Sequence, residues 1–365
     1  MAGIYLHIPF CKKRCIYCDF FSTTRKEQKT AYIRALCHEL TDRKNYLKGE
    51  PIETIYLGGG TPSQLAKEDF EAIFSHIYKV YKVTPNAEIT LEANPDDLTS
   101  EYISMLRTFP FNRISMGIQT FQETTLKQLQ RRHTADQAIR AFQGCRTAGF
   151  QNISIDLMYG LPGETLTSWK KDLKQALSLH PEHISAYHLI YEEGTPLWKL
   201  REQHKVEEAD EDLSTTAGYE HYEISNFCLP GLHSRHNSSY WTEKQYLGCG
   251  PSAHSYNGIS RQWNVASLDK YIEGISSGNP TFEVEELDLY TRYNDFVITH
   301  IRTQWGMPLP KLGKQYGEEL YKYCLHMATP HLQQGTLEIK NDTLKLTRKG
   351  VFISDGIMSD MLWVE

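Results

Sequence analysis

Six short apolar segments in the first 190 or so residues, separated by stretches of helical periodicity, restrict this chain to a strand–helix–strand architecture. They cover residues 4–8, 54–57, 88–92, 113–117, 153–157 and 184–189, and are nearly continuous in Ile, Leu and Val. Runs of that kind suit strands buried on both faces of a parallel sheet. Between them, residues 32–47 align Tyr32, Ile33, Leu36, Leu40 and Leu47, and residues 70–80 align Phe70, Ile73, Phe74, Ile77 and Tyr78. A capping box at Thr134–Gln137 opens a further helix that runs towards Gly149. Successive βα units around a parallel sheet are the expected result.

The unusual residues all fall at the carboxyl ends of these strands, the edge where barrel folds carry their chemistry. Cys11, Cys15 and Cys18 follow the first strand with the spacing Cys-x3-Cys-x2-Cys. Gly58-Gly59-Gly60-Thr61-Pro62 follows the second, Glu92 ends the third and Gln119 follows the fourth. Asp156 and His188 lie near the ends of the fifth and sixth. Three thiolates can hold three irons of a cubane cluster and leave the fourth iron open to a small molecule. A zinc site completed by His7 or Asp19 is the alternative, although no second cysteine pair follows. The GGGTP turn lacks the Gly-Lys-Ser/Thr ending of a phosphate loop, so its backbone suits an amino-acid-like ligand better. Glu92 and Asp156 can accept from hydroxyl or ammonium groups, and Arg131 can clamp a carboxylate.

The five other cysteines, Cys37, Cys145, Cys228, Cys249 and Cys324, follow no pattern, which argues for a reducing compartment. With no signal-peptide pattern and no run of eighteen apolar residues, a cytoplasmic protein is expected. A net charge of −6 lacks the basic excess of a nucleic-acid binder. Past residue 200 the pattern changes: an acidic stretch at 207–212, then a Gly-, His- and aromatic-rich region from Phe227 to Trp263. Near the end, residues 336–339 and 344–347 flank Asn341-Asp342 as a hairpin, and with neighbouring helices they suggest a small winged-helix-like unit.

HIPFCKKRCIYCDF, GGGTPS, LEANP, RISMGIQTF and DLMYGLPGET, in that order, resemble the radical S-adenosylmethionine (SAM) enzymes. More narrowly they are similar to the branch that holds oxygen-independent coproporphyrinogen III dehydrogenase and the haem chaperones. The match extends to YLGCGPSAHSY at 246–256 and LTRKGVFISDGIMSDML at 346–362. The resemblance implies an α/β fold: a partial (β/α)6 radical SAM barrel over residues 1–200 and a C-terminal winged-helix-like α+β domain over 285–365. The region between, 201–284, would pack on the barrel. It also implies a [4Fe–4S] cluster on Cys11, Cys15 and Cys18. SAM would be contacted by Tyr5, Tyr17, Gly59, Gly60, Thr61, Glu92, Gln119, Arg131 and Asp156. The family chemistry is one-electron reduction of the sulfonium to release a 5′-deoxyadenosyl radical.

Within the branch, three features favour a haem chaperone over the dehydrogenase. Phe20 stands where the dehydrogenase has a fourth cysteine, and no extension precedes the cluster motif. His236-Asn237-Ser238-Ser239-Tyr240-Trp241 fits the HNxxYW motif of the chaperones. Haem is then the cargo and His236 its expected ligand, with His233 and His254 as alternatives. The implied recipients are haem proteins such as membrane-associated respiratory proteins. The resemblance leaves turnover of SAM open, and monomer and dimer alike.

Overall fold

The computed structural model describes residues 2–189 and 218–364. The six expected strands form, each at its expected place. They are β1 (Ala2–Ile8), β2 (Ile52–Gly59), β3 (Val83–Ala93), β4 (Arg113–Gln119), β5 (Ile153–Tyr159) and β6 (His183–His188). They pair in parallel in sequence order. Alternation within β1 shows why: Ile4, Leu6 and Ile8 are fully buried against the helices, while Gly3, Tyr5 and His7 take the opposite face.

Helices α1 (Lys29–Asp42), α2 (Lys67–Val80), α3 (Ser100–Leu106), α4 (Glu123–Gln128), α5 (Ala135–Thr147) and α6 (Leu166–Ser178) complete the βα units. In α5 the capping box forms, Thr134 Oγ1 accepting from the Gln137 amide at 3.2 Å and Gln137 Oε1 from the Thr134 amide at 2.9 Å. Gly149 takes a φ of 93°, the left-handed angle of a C-terminal stop. Two expectations shift. The helix expected over 32–47 ends at Asp42, and Leu47 reaches the core from the turns that follow. Tyr78 is exposed and lies off the buried stripe of α2.

The sheet does not stop at six strands. Residues 220–286 add β7 (Glu220–Glu223), β8 (Asn226–Cys228), β9 (Tyr246–Cys249), β10 (His254–Tyr256), β11 (Ser260–Asn264) and β12 (Phe282–Glu286). The order is β12-β11-β10-β9-β1-β2-β3-β4-β5-β6-β8-β7. Beyond the parallel β1–β9 pair, β10, β11 and β12 continue as an antiparallel extension. The acidic stretch at 207–212 lies outside the described residues.

One buried carboxylate fastens that extension to the barrel. Glu39, on α1 and 2% exposed, accepts from the Gly250 amide at 2.9 Å and the Tyr271 hydroxyl at 2.7 Å. Its other oxygen accepts from Asn264 Nδ2 at 2.7 Å and Arg43 Nη1 at 3.3 Å. Arg43 in turn donates to the Gly248 carbonyl at 2.9 Å.

The C-terminal unit has its own core, including Tyr293, Phe296, Leu312, Leu320, Leu344 and Met361. Its sheet is antiparallel, β13 (Met307–Pro308) against β15 (Thr343–Leu346) against β14 (Leu337–Lys340). The expected hairpin closes through Asn341 and Asp342 at φ of 50° and 56°, the primed two-residue turn. Arg302 stacks over Trp241 at 4.1 Å, and Lys311 pairs with Glu243. These contacts seat the unit on the end of the helix Arg235–Trp241 and the turn that follows it.

Glu39→Ala would leave several buried donors unpaired, a loss of about 3 kcal/mol or more. Its chemical-denaturation midpoint should fall well below that of wild type, with Glu39→Gln in between. A loss under about 1 kcal/mol for the alanine variant would contradict the hub.

Candidate functional site at the carboxyl edge of the barrel

A cavity of about 480 Å3 opens at the carboxyl ends of β1–β6. Cys11, Cys15, Tyr17, Cys18, Gly59, Gly60, Thr61, Glu92, Gln119, Arg131 and Asp156 all border it. Eleven of the twelve residues expected at the cluster and SAM site are therefore together. Tyr5 is not among them, and neither is His236, the expected haem ligand.

Each wall has a local cause. The cysteine loop is pinned at its root, where the Cys11 amide donates to the Thr23 carbonyl at 2.8 Å and Thr61 Oγ1 donates to Cys11 Sγ at 3.2 Å. Gly60 lies so close to the loop that a Cβ would sit 2.7 Å from the Ile8 carbonyl oxygen. Gly59 has a φ of +102°, and a Cβ there would strike the His7 ring at 2.5 Å. The glycines thus bring bare backbone against the cysteine loop.

Arg131 reaches across the cavity. Its guanidinium donates to Asn94 Oδ1 at 2.9 Å and to the Gly117 carbonyl, and lies 3.5 Å from both Cys15 Sγ and the Tyr17 hydroxyl. Its Nε is buried with no hydrogen-bond partner, a donor left for a ligand. Glu92 accepts from the Tyr56 hydroxyl at 2.7 Å and the Gly59 amide at 3.1 Å. Asp156 accepts from Ser115 Oγ at 3.1 Å and Ser154 Oγ at 3.3 Å. Burial pushes both carboxyls up, Glu92 to about 7. It also pushes up the thiols of Cys11 and Cys18, the latter to about 11.

Asp97, absent from the sequence reading, organises the rim. Its carboxylate receives Lys12 Nζ at 2.8 Å, Ser63 Oγ at 2.9 Å and Arg132 Nη2 at 3.1 Å, tying the cysteine loop, the glycine turn and the loop after α4 together. Burial alone would raise its pKa; Lys12, Arg132 and Ser63 outweigh burial and hold it below the usual value. Tyr56, Asn94, Ser115, Ser185, Tyr187 and Asn237 also line the cavity. Asn94 and Ser115 lie inside the LEANP and RISMGIQTF blocks, so position within those blocks was the available signal. His188 lines it too, as its strand-end position suggested.

The two remaining residues have other settings. Tyr5 donates or accepts at His7 Nδ1 (3.1 Å) and borders a separate cavity. His236 is 1% exposed, and both ring nitrogens are engaged, Nδ1 with Thr54 Oγ1 at 2.8 Å and Nε2 with the Tyr240 hydroxyl at 2.9 Å. Its ring lies against Tyr56, centroids 5.0 Å apart. To ligate iron it would have to leave this nest. For the zinc alternative, His7 Nε2 is already engaged with the Phe21 carbonyl at 2.8 Å. No three His, Cys, Asp or Glu side chains converge at single-ion spacing among the described residues. A cubane spreads its thiolates wider than one ion does. The donor set, three thiols opposite two carboxyls and an unpaired guanidinium Nε, fits a cluster beside a zwitterionic ligand.

Comparison with known proteins agrees with this arrangement. The Radical SAM superfamily model matches residues 5–176 and the HemN C-terminal domain model residues 287–353. The heme chaperone HemW of Mycobacterium tuberculosis is 32% identical over 99% of this chain and 94% of its own length. That of Bacillus subtilis is 32% identical over 99% of both, and that of Escherichia coli 35% over 69% of both. Among solved structures, Escherichia coli coproporphyrinogen III oxidase (HemN), a radical SAM enzyme, superposes with a TM-score of 0.83. It covers 99% of this chain and 89% of that one, at 22% identity. No helix among the described residues is long and apolar enough to cross a membrane.

Glu92 yields a pH prediction. The folded chain holds its proton up to about pH 7, whereas an ordinary glutamate releases it near 4.5. Its contribution is therefore favourable at low pH and lost as the pH rises through 7, by about 3 kcal/mol at most. Between pH 5 and 8 the denaturation midpoint of wild type should fall more steeply than that of Glu92→Gln. Equal slopes would mean that Glu92 titrates normally.

Proposed function

The chain belongs to the HemW family of radical SAM proteins, and from that premise we propose that it is a haem chaperone, binding haem and delivering it to recipient haem proteins. The observation that carries the reading is similarity to chaperones over almost the whole chain, joined to a cavity lined by cysteines, glycines and carboxylates. We further propose that Cys11, Cys15 and Cys18 hold a [4Fe–4S] cluster and that SAM occupies the same cavity. When bound, these groups would supply one-electron reduction of a sulfonium centre.

The protein's own part is positioning. Thr61 and the loop hydrogen bonds fix Cys11, and Asp97 keeps the loop and the glycine turn in register. Glu92 and Asp156 face ligand hydroxyl or ammonium groups, and Arg131 neutralises charge beside Cys15. Tyr17 and Met158 add apolar surface to the cavity wall. Exposed Phe20 stands where the dehydrogenase has its additional cysteine, which favours the chaperone over oxidative decarboxylation of a porphyrinogen. Haem proteins of the respiratory membrane are the recipients we favour, and the cytoplasm the compartment.

Two measurements test this. After anaerobic reconstitution, Cys15→Ser should lose most of its iron and sulfide; content equal to wild type would contradict the cluster. Wild type should give a saturable Soret shift with haem at near-equal stoichiometry and no decarboxylation of coproporphyrinogen III. Product formation at an enzyme's rate would favour the dehydrogenase.

A further inference from the structure

Where haem would sit is a separate question, because His236 is sealed in the interior. Four other histidines border cavities: His7, His188, His233 and His254. Both nitrogens of His7 are engaged. His188 belongs to the cysteine cavity, and His233 is wedged between Tyr222 and Trp305 at a cavity of only about 210 Å3. His254 is exposed, as His188 is, but lies outside the cysteine cavity, and its ring has no hydrogen-bond partner among the described residues.

Its position follows from strand register. In the antiparallel extension His254 on β10 stands directly opposite Trp263 on β11, and Trp263 opposite Glu283 on β12. Directly paired residues share a face, and the His254 and Trp263 rings lie nearly parallel with centroids 5.9 Å apart. Tyr256, two residues on, shares that face and pairs with Tyr246 on β9. The result is a flat strip of rings beside the barrel rather than inside it.

Two cavities meet on this strip. One, about 370 Å3, is bordered by Tyr5, Phe20, Phe21, Tyr240, Tyr246 and His254. The other, about 300 Å3, includes His254, Trp263, Val265 and Phe282. Ser252 and His254 belong to both. Phe20, 63% exposed on the cysteine loop, is a large apolar group with no cover, whereas Phe282 pairs with Asn264 and so belongs to the opposite face of β12 from Glu283 and the strip. The larger cavity is ring-rich, with His7, Asp19, Ser252 and His254 as its polar groups, and the smaller adds Asn264, Thr281 and Glu283. Rings with polar groups at their edges suit a flat ligand, and an unpartnered imidazole is a ligand for haem iron.

Building on the chaperone reading, we propose that this strip is the haem site, with His254 as the axial iron ligand and Tyr5, Phe20, Tyr246 and Trp263 as the surrounding rings. The buried His236 then acts as a positioning residue. It holds Tyr240, whose ring packs edge-on against Tyr246 at 4.7 Å.

The test is an anaerobic titration of ferric haem into the reconstituted full-length chain, followed in the Soret and visible bands. His254→Ala should weaken binding roughly tenfold or more, and free imidazole should restore the wild-type spectrum. His254→Met should bind haem with an altered ligand-field spectrum, a signature that loss of packing cannot give. His236→Gln should weaken binding while keeping the wild-type spectrum. Binding and spectrum unchanged in His254→Ala, or a changed coordination spectrum in His236→Gln alone, would overturn the site while leaving the chaperone reading intact. No saturable binding in wild type would overturn the chaperone reading and the site with it.

Discussion

Parallel strands covered on both faces can present polar chemistry only at their ends or towards a narrow interior, and this constraint shapes the whole molecule. The helix-facing residues of β1–β6 are taken up by the core: Ile4, Leu6, Ile55, Leu57, Leu91, Ile114, Met116, Ile155 and Ile184 are almost without exposure. The interior accepts small hydroxyls, among them Thr90, Ser115, Ser154 and Ser185. Two of these, Ser115 and Ser154, donate to the Asp156 carboxylate above them. What remains is the carboxyl edge, and there the cysteines, glycines, Glu92 and Arg131 gather.

Two buried carboxylates turn that layout into a working geometry. Asp97 locks the rim loops to one another, so the position of Cys11 depends on residues more than eighty positions away. Glu39 does the same for the antiparallel extension, joining α1 to the β9–β10 turn, β11 and the helix Leu268–Ser276. Fully buried Ser255 on β10 adds to this hold, accepting from the Gly248 amide at 2.9 Å and from Arg43 Nη2 at 3.0 Å. The cluster-loop edge and the ring strip share a wall, Asp19 and Phe20, while remaining distinct cavities.

The barrel was legible in the sequence because its signals are local: apolar runs for strands, a capping box for α5, Asn-Asp for the hairpin. The site was legible because strand-end chemistry follows from strand order. Glu39 and Asp97 were not, since a buried acid looks like any surface acid until its partners are known. Some of those partners lie more than 200 residues away. Strands β9–β12 are short and mix His, Tyr, Ser and Glu, so neither period nor composition marked them. His236 was ambiguous for a related reason. A histidine beside aromatic residues suits a metal site and a packed interior equally, and here Thr54 and Tyr240 engage both of its ring nitrogens.

If haem binds at the ring strip as proposed, haem and SAM occupy separate sites on one chain. The most direct test is retention of labelled SAM by the reconstituted protein, measured by anaerobic equilibrium dialysis with and without saturating haem. Full SAM occupancy at haem saturation is the predicted result. Displacement of SAM by haem, in proportion to haem bound, would put both ligands in the barrel cavity and contradict the account.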